Sequence, residues 1–78
     1  MNSIIYRDIE YGKVICNLDA IMKRKNITTY RLSIISNIKY DVIERYRYNI
    51  ALRYDSYILA KLCFYLDCDL SSLLKYEK

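Results

Sequence analysis

The sequence predicts an all-α domain of five short helices, and three observations support this fold class. Apolar residues recur at helical spacing in several short stretches of the 78-residue chain. Most of these stretches follow Asn, Thr, Asp or Ser, the residues that cap helix N-termini. The chain has one glycine and no proline, which leaves little room for the many turns of a β-sandwich. Its hydrophobic content of 54% is enough for the core of a single small domain.

Capping residues mark the starts of the first two helices. Asn17 is suited to cap a helix over 18–25, whose last turn carries three basic residues that match the helix dipole. Thr28 or Thr29 is suited to cap a second helix, which we expect over 30 to about 35.

The stretch 29–48 predicts two helices that cross closely around a tight turn. Asn37 is the usual non-glycine choice for a left-handed turn position, and Ser33 is small enough for the close crossing. A third helix should then begin near Lys39 or Tyr40 and end at about Arg47. Its apolar anchors are Ile43 and Tyr46, both of which we assign to the core. This is the layout of a helix-turn-helix.

The outer face of the third helix is free to reach base edges in a DNA groove. Its side chains are Lys39, Tyr40, Asp41, Glu44 and Arg45. Between residues 23 and 53 there are eight basic and two acidic side chains, whereas the rest of the chain has five basic and seven acidic ones. The positive charge therefore concentrates where a phosphate backbone would lie, which indicates a DNA-binding module.

Two more helices complete the expected fold after a loop over 48–54. Asp55 or Ser56 should cap a fourth helix over 57–66, and Asp69 a last helix from 70 to about 75. These two helices bring the leucines that close the core.

Residues 1–13 form an N-terminal arm ahead of the helix-turn-helix domain, which we place at 14–78. A weak period-two pattern runs from Ile5 to Tyr11, and a second short β-like run follows at 14–16. Three alternatives stay open: a hairpin, a single strand that pairs with its copy in a second subunit, or a partly ordered tail.

Catalysis, metal binding and membrane insertion find little support in the sequence. There is no histidine, and the three cysteines form no CxxC pair, so we expect no metal site, no cofactor and no enzyme. Cys16, Cys63 and Cys68 are expected to be reduced and mostly buried. No signal peptide and no apolar run of about 18 residues is present, so we expect a cytoplasmic protein without a membrane segment.

The chain resembles the Cro and lambda-repressor family of helix-turn-helix regulators, and within it the small single-domain members. The matching segments are CNL at 16–18, YRL at 30–32, KLC at 61–63, LDC at 66–68 and LLKY at 73–76, with Asn49 and Arg53 between them. The resemblance therefore covers about 14–76. The departures are Ser33 where the family usually has Ala, Asn37 where it usually has Gly, the acidic Asp41 and Glu44, and an unusually apolar loop.

The resemblance implies how each part of the chain would meet double-stranded DNA. The third helix would enter the major groove, with Arg45 able to contact guanine and with Asp41 or Glu44 either accepting from cytosine or orienting Arg45. Phosphate contacts would come from positions that flank it: Thr29, Tyr30, Arg47, Tyr48, Asn49 and Arg53.

The expected protein is a sequence-specific regulator, most simply a repressor, that binds a palindromic operator as a homodimer. With no sensor domain in 78 residues, no small-molecule ligand is expected. The alternative is a protein-interaction module on the same fold, an antitoxin-like or anti-repressor partner, in which the apolar loop and the N-terminal arm would bind protein.

Overall fold

The computed structural model describes residues 9–78, which form five helices and two short strands. In chain order these are β1 Lys13–Cys16, α1 Leu18–Lys25, α2 Thr29–Ser36, α3 Tyr40–Arg47, α4 Ser56–Leu66, α5 Leu70–Leu73 and β2 Leu74–Glu77. The predicted five-helix fold is confirmed. A small sheet, made from the beginning and the end of the described chain, is added to it.

The crossing of α2 and α3 is built as the sequence predicts. Asn37 has the left-handed φ of 59° and its N–H donates to the carbonyl of Ser33. The Ser33 hydroxyl donates to the carbonyl of Ile38 over 2.7 Å, so this polar group inside the crossing has a partner. The Ser36 hydroxyl donates to Leu32 O and accepts from the Ile38 N–H. Two serines thus complete the hydrogen bonding of the tight turn.

One contiguous core joins the helices to β1. Its buried apolar side chains are Cys16, Leu18, Ile21, Met22, Leu32, Ile38, Ile43, Tyr46, Leu62, Leu66 and Leu73. The Tyr46 ring lies edge-on to Tyr54 at 5.0 Å, and its hydroxyl accepts from the backbone N–H of Asp55. The assignment of Tyr46 to the core is therefore confirmed, and its polar end is satisfied as a buried tyrosine requires.

The helix ends follow the predicted capping residues, except that the side chains of Asp69 and Asn17 make no cap bond. Thr28 accepts from the Arg31 N–H, and Asp55 accepts from the first N–H groups of α4. Asn17 precedes α1 as expected, but its side chain makes no cap bond. Its amide instead donates to Ser72 O, and its backbone N–H donates to Leu73 O. Asn17 therefore ties the beginning of α1 to the C-terminal segment.

The last helix is shorter than predicted, because the chain becomes a strand at Leu74. β2 pairs with β1 in the antiparallel direction, with Lys13 opposite Glu77 and Cys16 opposite Leu74. β1 therefore pairs neither in a local hairpin nor, through this edge, with a second subunit. The period-two pattern at 5–11 falls mostly on residues 1–8, which lie outside the described residues, and no strand forms at 9–12.

The position directly before β1 can be occupied only by glycine. Gly12 has a φ of +85°, and a Cβ there would collide with the Glu77 carbonyl and the Tyr76 hydroxyl. That hydroxyl donates to the Tyr11 carbonyl. The end of the chain thus lies directly over the segment that precedes β1.

All three cysteines are free, and burial raises the pKa of the Cys16 thiol. Between residues 9 and 78, no three His, Cys, Asp or Glu side chains are grouped so that they could hold a metal ion. In the same range, no helix has the length and apolar character needed to cross a membrane.

Candidate nucleic-acid interface

The outward face of α3 presents polar and aromatic side chains, while its inward face is buried. Ile43 and Tyr46 pack into the core, each less than 5% exposed. On the outer side Tyr40 is 52% exposed, and Lys39, at the N-cap position, is exposed as well. The helix is therefore held by one side and open on the other, as a helix that enters a groove must be.

Asp41 and Arg45 form an ion pair on this open face. The Arg45 guanidinium donates to the Asp41 carboxylate over 3.0 Å, one helical turn away. Both side chains are at least half exposed, so the pair contributes little to stability. The intrahelical pairing of Asp41 with Arg45 was one of the two roles that the sequence left open for the acidic residues.

Glu44 does not lie on the open face, contrary to the sequence-based expectation. Its carboxylate accepts a 2.6 Å hydrogen bond from the hydroxyl of Thr29, which is only 3% exposed. The same hydroxyl accepts from Arg47, whose guanidinium also donates to Asp19 over 2.6 Å. Thr29, Glu44 and Arg47 are therefore engaged within the protein, and their polar groups join α1, α2 and α3.

The charges in this cluster shift each other's protonation. The Arg47 guanidinium, with help from Lys23, holds the pKa of the Asp19 carboxyl below its usual range. The hydrogen bond to Asp19 in turn raises the pKa of Arg47. Asp19 and Arg47 are consequently both charged at neutral pH, and their ion pair helps to hold the helices together.

Asn49 is likewise occupied, although it was expected at a phosphate. Its side-chain amide accepts from the Cys16 N–H over 2.8 Å and donates to the Cys16 carbonyl over 3.0 Å. The amide thereby takes the place that a neighbouring strand would have beside β1. Asn49 has a left-handed φ of 60°, which orients its side chain from the loop after α3 towards β1.

Removing this amide should loosen β1. Asn49→Gly keeps the left-handed backbone but loses both hydrogen bonds, so we expect it to lower the free energy of unfolding by about 1.5 kcal/mol. Asn49→Ala should cost about 1 kcal/mol more, because alanine disfavours positive φ. Urea denaturation of both variants measures these costs. A glycine variant as stable as the wild type would contradict the proposed role of the amide.

Several exposed residues beside α3 are candidates for contacts with DNA phosphates. Tyr30 is 68% exposed near the beginning of α2, and Tyr48 is 53% exposed at the end of α3, where its ring lies 5.3 Å from the Arg47 guanidinium. Arg53 is exposed in the loop and lines a shallow groove that Arg45 also lines. Tyr30, Tyr48 and Arg53 therefore remain available to a phosphate backbone.

One feature of the site was not identified from the sequence, and a second was indicated there only as an apolar loop. Asp19 was expected only to suit the helix dipole, and nothing in its spacing indicates a partner at Arg47, 28 residues away. Leu52 is 97% exposed at the tip of the loop, and the apolar run around it was the only signal for that surface.

The pattern of helices and the open face of α3 agree with the comparison to known families. Residues 17–78 match the sequence model of the Cro/C1-type HTH DNA-binding domain. The chain belongs to this family. No curated protein matches the sequence of the chain.

Two solved structures have the same fold as this Cro/C1-type domain. A candidate DNA-binding protein from Bacteroides fragilis superposes with a TM-score of 0.72 at 17% identity, over 81% of this chain and 100% of the other. The transcriptional regulator VanUg superposes with a TM-score of 0.67 at 16% identity, over 90% of this chain and 96% of the other. At these identities the likeness establishes the fold.

Proposed function

We propose that this protein is a sequence-specific transcriptional regulator, acting as a repressor, that places α3 in the major groove of its operator. The observation that carries the proposal is the two-sided nature of α3. Its inner side is anchored by Ile43 and Tyr46, and its outer side carries exposed groups that can bond to base edges. The membership of a DNA-binding domain family supports the same reading.

The proposed base contacts come from the exposed face alone. They are Lys39, Tyr40, Asp41 and Arg45. Arg45 would donate hydrogen bonds to guanine, either instead of or in addition to its bond with Asp41. In the second case, the Asp41 carboxylate would keep the guanidinium oriented. Glu44 is left out, because its carboxylate already accepts from Thr29.

The proposed phosphate contacts are Tyr30, Tyr48 and Arg53. They lie at the beginning of α2, at the end of α3 and in the following loop. Arg47, Thr29 and Asn49 support these contacts indirectly, since they hold α2, α3 and β1 in position. We leave them out of the direct contact set.

The protein would bind a palindromic operator as a homodimer, because one module of this size buries too little surface for tight, specific binding. The domain at 14–78 would provide the DNA-binding surface, and 1–13 would be an arm outside it. The regulator would act in the cytoplasm without a cofactor, a small-molecule ligand or a catalytic step.

A salt series of fluorescence-anisotropy titrations tests DNA binding directly. On a mixed-sequence duplex, the wild type should bind less tightly as salt rises, and Arg53→Ala should lower the slope of log affinity against log salt by about one. On an operator selected from a random pool, Arg45→Ala should lose about 2 kcal/mol of binding free energy and tolerate more bases at one position.

Arg24→Ala is the matched control, because it removes the same charge elsewhere. Arg24 is exposed at the end of α1 and lines a cleft with Asp67 and Asp69, where DNA would be repelled. Its loss should change the salt slope less than the loss of Arg53. Absence of binding by the folded wild type at low salt would overturn the proposal.

The second candidate is a protein-interaction module, and the exposed loop favours it. Leu52 and Ile50 are 97% and 64% exposed, which is typical of residues that become buried in a complex. A stable heteromeric complex formed by a chain that lacks affinity for DNA would establish this function instead.

A further inference from the structure

Within residues 9–78, the two-stranded sheet has two outer edges, one along each strand. The Asn17 N–H donates to Leu73 O, and this bond defines which backbone groups of the ladder point inwards. Residues 15 and 75 therefore exchange hydrogen bonds across the sheet, whereas the backbone groups of residues 14, 16, 74 and 76 point outwards. The outer edge of each strand thus presents alternate residues.

The outward groups near the core already have partners. On the β1 side, both backbone groups of Cys16 are bonded to the Asn49 amide. On the β2 side, the Leu74 N–H donates to Leu70 O. The N–H and C=O of Tyr76 point away from β1, and the sheet formed by residues 9–78 has no third strand beside them. This edge of β2 is a template for another strand.

We infer that β2 pairs with β2 of a second copy, antiparallel and centred on Tyr76, so that two domains share a four-stranded sheet. The inference deepens the proposed function by assigning the interface of the homodimer. At the centre, the two Tyr76 residues would exchange their backbone N–H···O bonds, which is the pairing that a two-fold axis allows between identical strands.

In this register, the charged side chains of β2 in one copy face side chains of opposite charge in the other copy. Pairing about Tyr76 sets Lys75 of each copy opposite Glu77 of the other. Both side chains are exposed, and neither takes part in an ion pair within residues 9–78. Opposite charges facing each other across strands stabilise the pairing, and they occur twice because of the symmetry. A shift by one residue would lose this match.

The size of the sheet supports the same partner. Two strands of four residues each are marginal by themselves, and three or more strands are much more stable. Joining β2 to its copy would double the sheet and satisfy the backbone of Tyr76.

A charge-exchange experiment tests the register by sedimentation equilibrium. Lys75→Glu alone and Glu77→Lys alone should each weaken the dimer about tenfold, because two attractive pairs become repulsive. The double variant should recover the part of the loss that arises between the two copies, whereas the repulsion between the new lysine and Lys13 of β1 remains in it. An equimolar mixture of the two single variants should associate more tightly than either variant by itself, since Lys then faces Glu again in the mixed dimer.

Two proline variants test the edge independently of charge. Tyr76→Pro removes an N–H that points away from β1, and proline is tolerated on such an edge, so the domain should stay folded by circular dichroism while the dimer is lost. Val14→Pro is the matched control. Val14 lies opposite Tyr76, and its N–H points to the other edge of the sheet, so this variant should still dimerise.

The outcomes separate the interface from the proposed function. A monomeric wild type at all concentrations, or a dimer insensitive to the charge exchange and to Tyr76→Pro, would overturn the interface. If Leu52→Ser dissociates the dimer instead, the second copy binds at the loop and the interface is again overturned. A dimer with the expected sensitivities but no affinity for DNA would leave the interface standing and overturn the proposed function.

Discussion

Leu32→Ala is expected to lower the free energy of unfolding by about 3 kcal/mol. Leu32 is fully buried in α2, where it belongs to the core that also contains Ile43 of α3. Removing its branched end leaves a cavity. The cavity cannot close, because the tight turn fixes the distance between α2 and α3. The total free energy of unfolding of a domain of this size is only about 4 to 12 kcal/mol, so the variant would lose much of its stability. Urea denaturation followed by circular dichroism measures the change.

Ile34→Ala provides the control within the same helix. Ile34 is 62% exposed, so the same kind of truncation should cost less than about 0.5 kcal/mol. Equal losses for the two variants would mean that helix propensity, and not core packing, determines the stability of α2. DNA binding should weaken for Leu32→Ala only to the extent that the protein unfolds.

Arg47→Met is expected to cost about 2 kcal/mol of stability, because it removes two charge-assisted hydrogen bonds from the junction of three helices. The Arg47 side chain is 15% exposed, and its guanidinium donates to both Asp19 and Thr29. Methionine retains much of the apolar stem but has no donor, so Asp19 loses a partner and the Thr29 hydroxyl loses one of its two bonds. Denaturant unfolding at neutral pH measures the loss.

Arg45→Met is the matched control, since it removes an arginine from the same helix. Arg45 is half exposed in its pair with Asp41, so we expect a change of less than about 0.5 kcal/mol. If Arg45→Met costs as much as Arg47→Met, the cluster around Asp19 is not what stabilises the helix junction.

The effect of Arg47→Met should also depend on pH. Arg47 lowers the pKa of Asp19 in the folded protein, so the pairing contributes its full stability above the unfolded pKa of about 3.9. This stability is lost as the pH falls through the lower, folded pKa of Asp19. The difference in the free energy of unfolding between the wild type and Arg47→Met should therefore become smaller at acidic pH. A difference that is constant down to strongly acidic pH would contradict this linkage.

Local chemistry explains why the helices could be predicted from the sequence. The bounds predicted for α1 and α3 agree with the structure, and Asn37 adopts the positive φ that its turn position requires. Each of these features depends on residues within one or two helical turns of one another. Capping, periodicity and turn preference are readable at that range.

The exposed half of the candidate site was readable for the same reason. Asp41 and Arg45 lie on the side of α3 opposite its apolar anchors, while Lys39 and Tyr40 are exposed at its N-terminal end. Helical spacing alone separates this opposite side from the anchored side. Glu44 lies at the border between them, and the sequence could not reveal that α2 brings Thr29 to its carboxylate. Whether the exposed residues contact bases stays a prediction.

The sequence by itself determined the five helices, the tight turn between α2 and α3, and the inner and outer sides of α3. Only the tertiary structure decided the sheet and the polar junction of the helices. β1 meets β2 from the opposite end of the chain, and Asp19 meets Arg47 from another helix. Four-residue strands carry too weak a local signal to reveal a distant partner. A salt bridge between helices likewise depends on how they pack, because spacing along the chain defines neighbours only within a single helix.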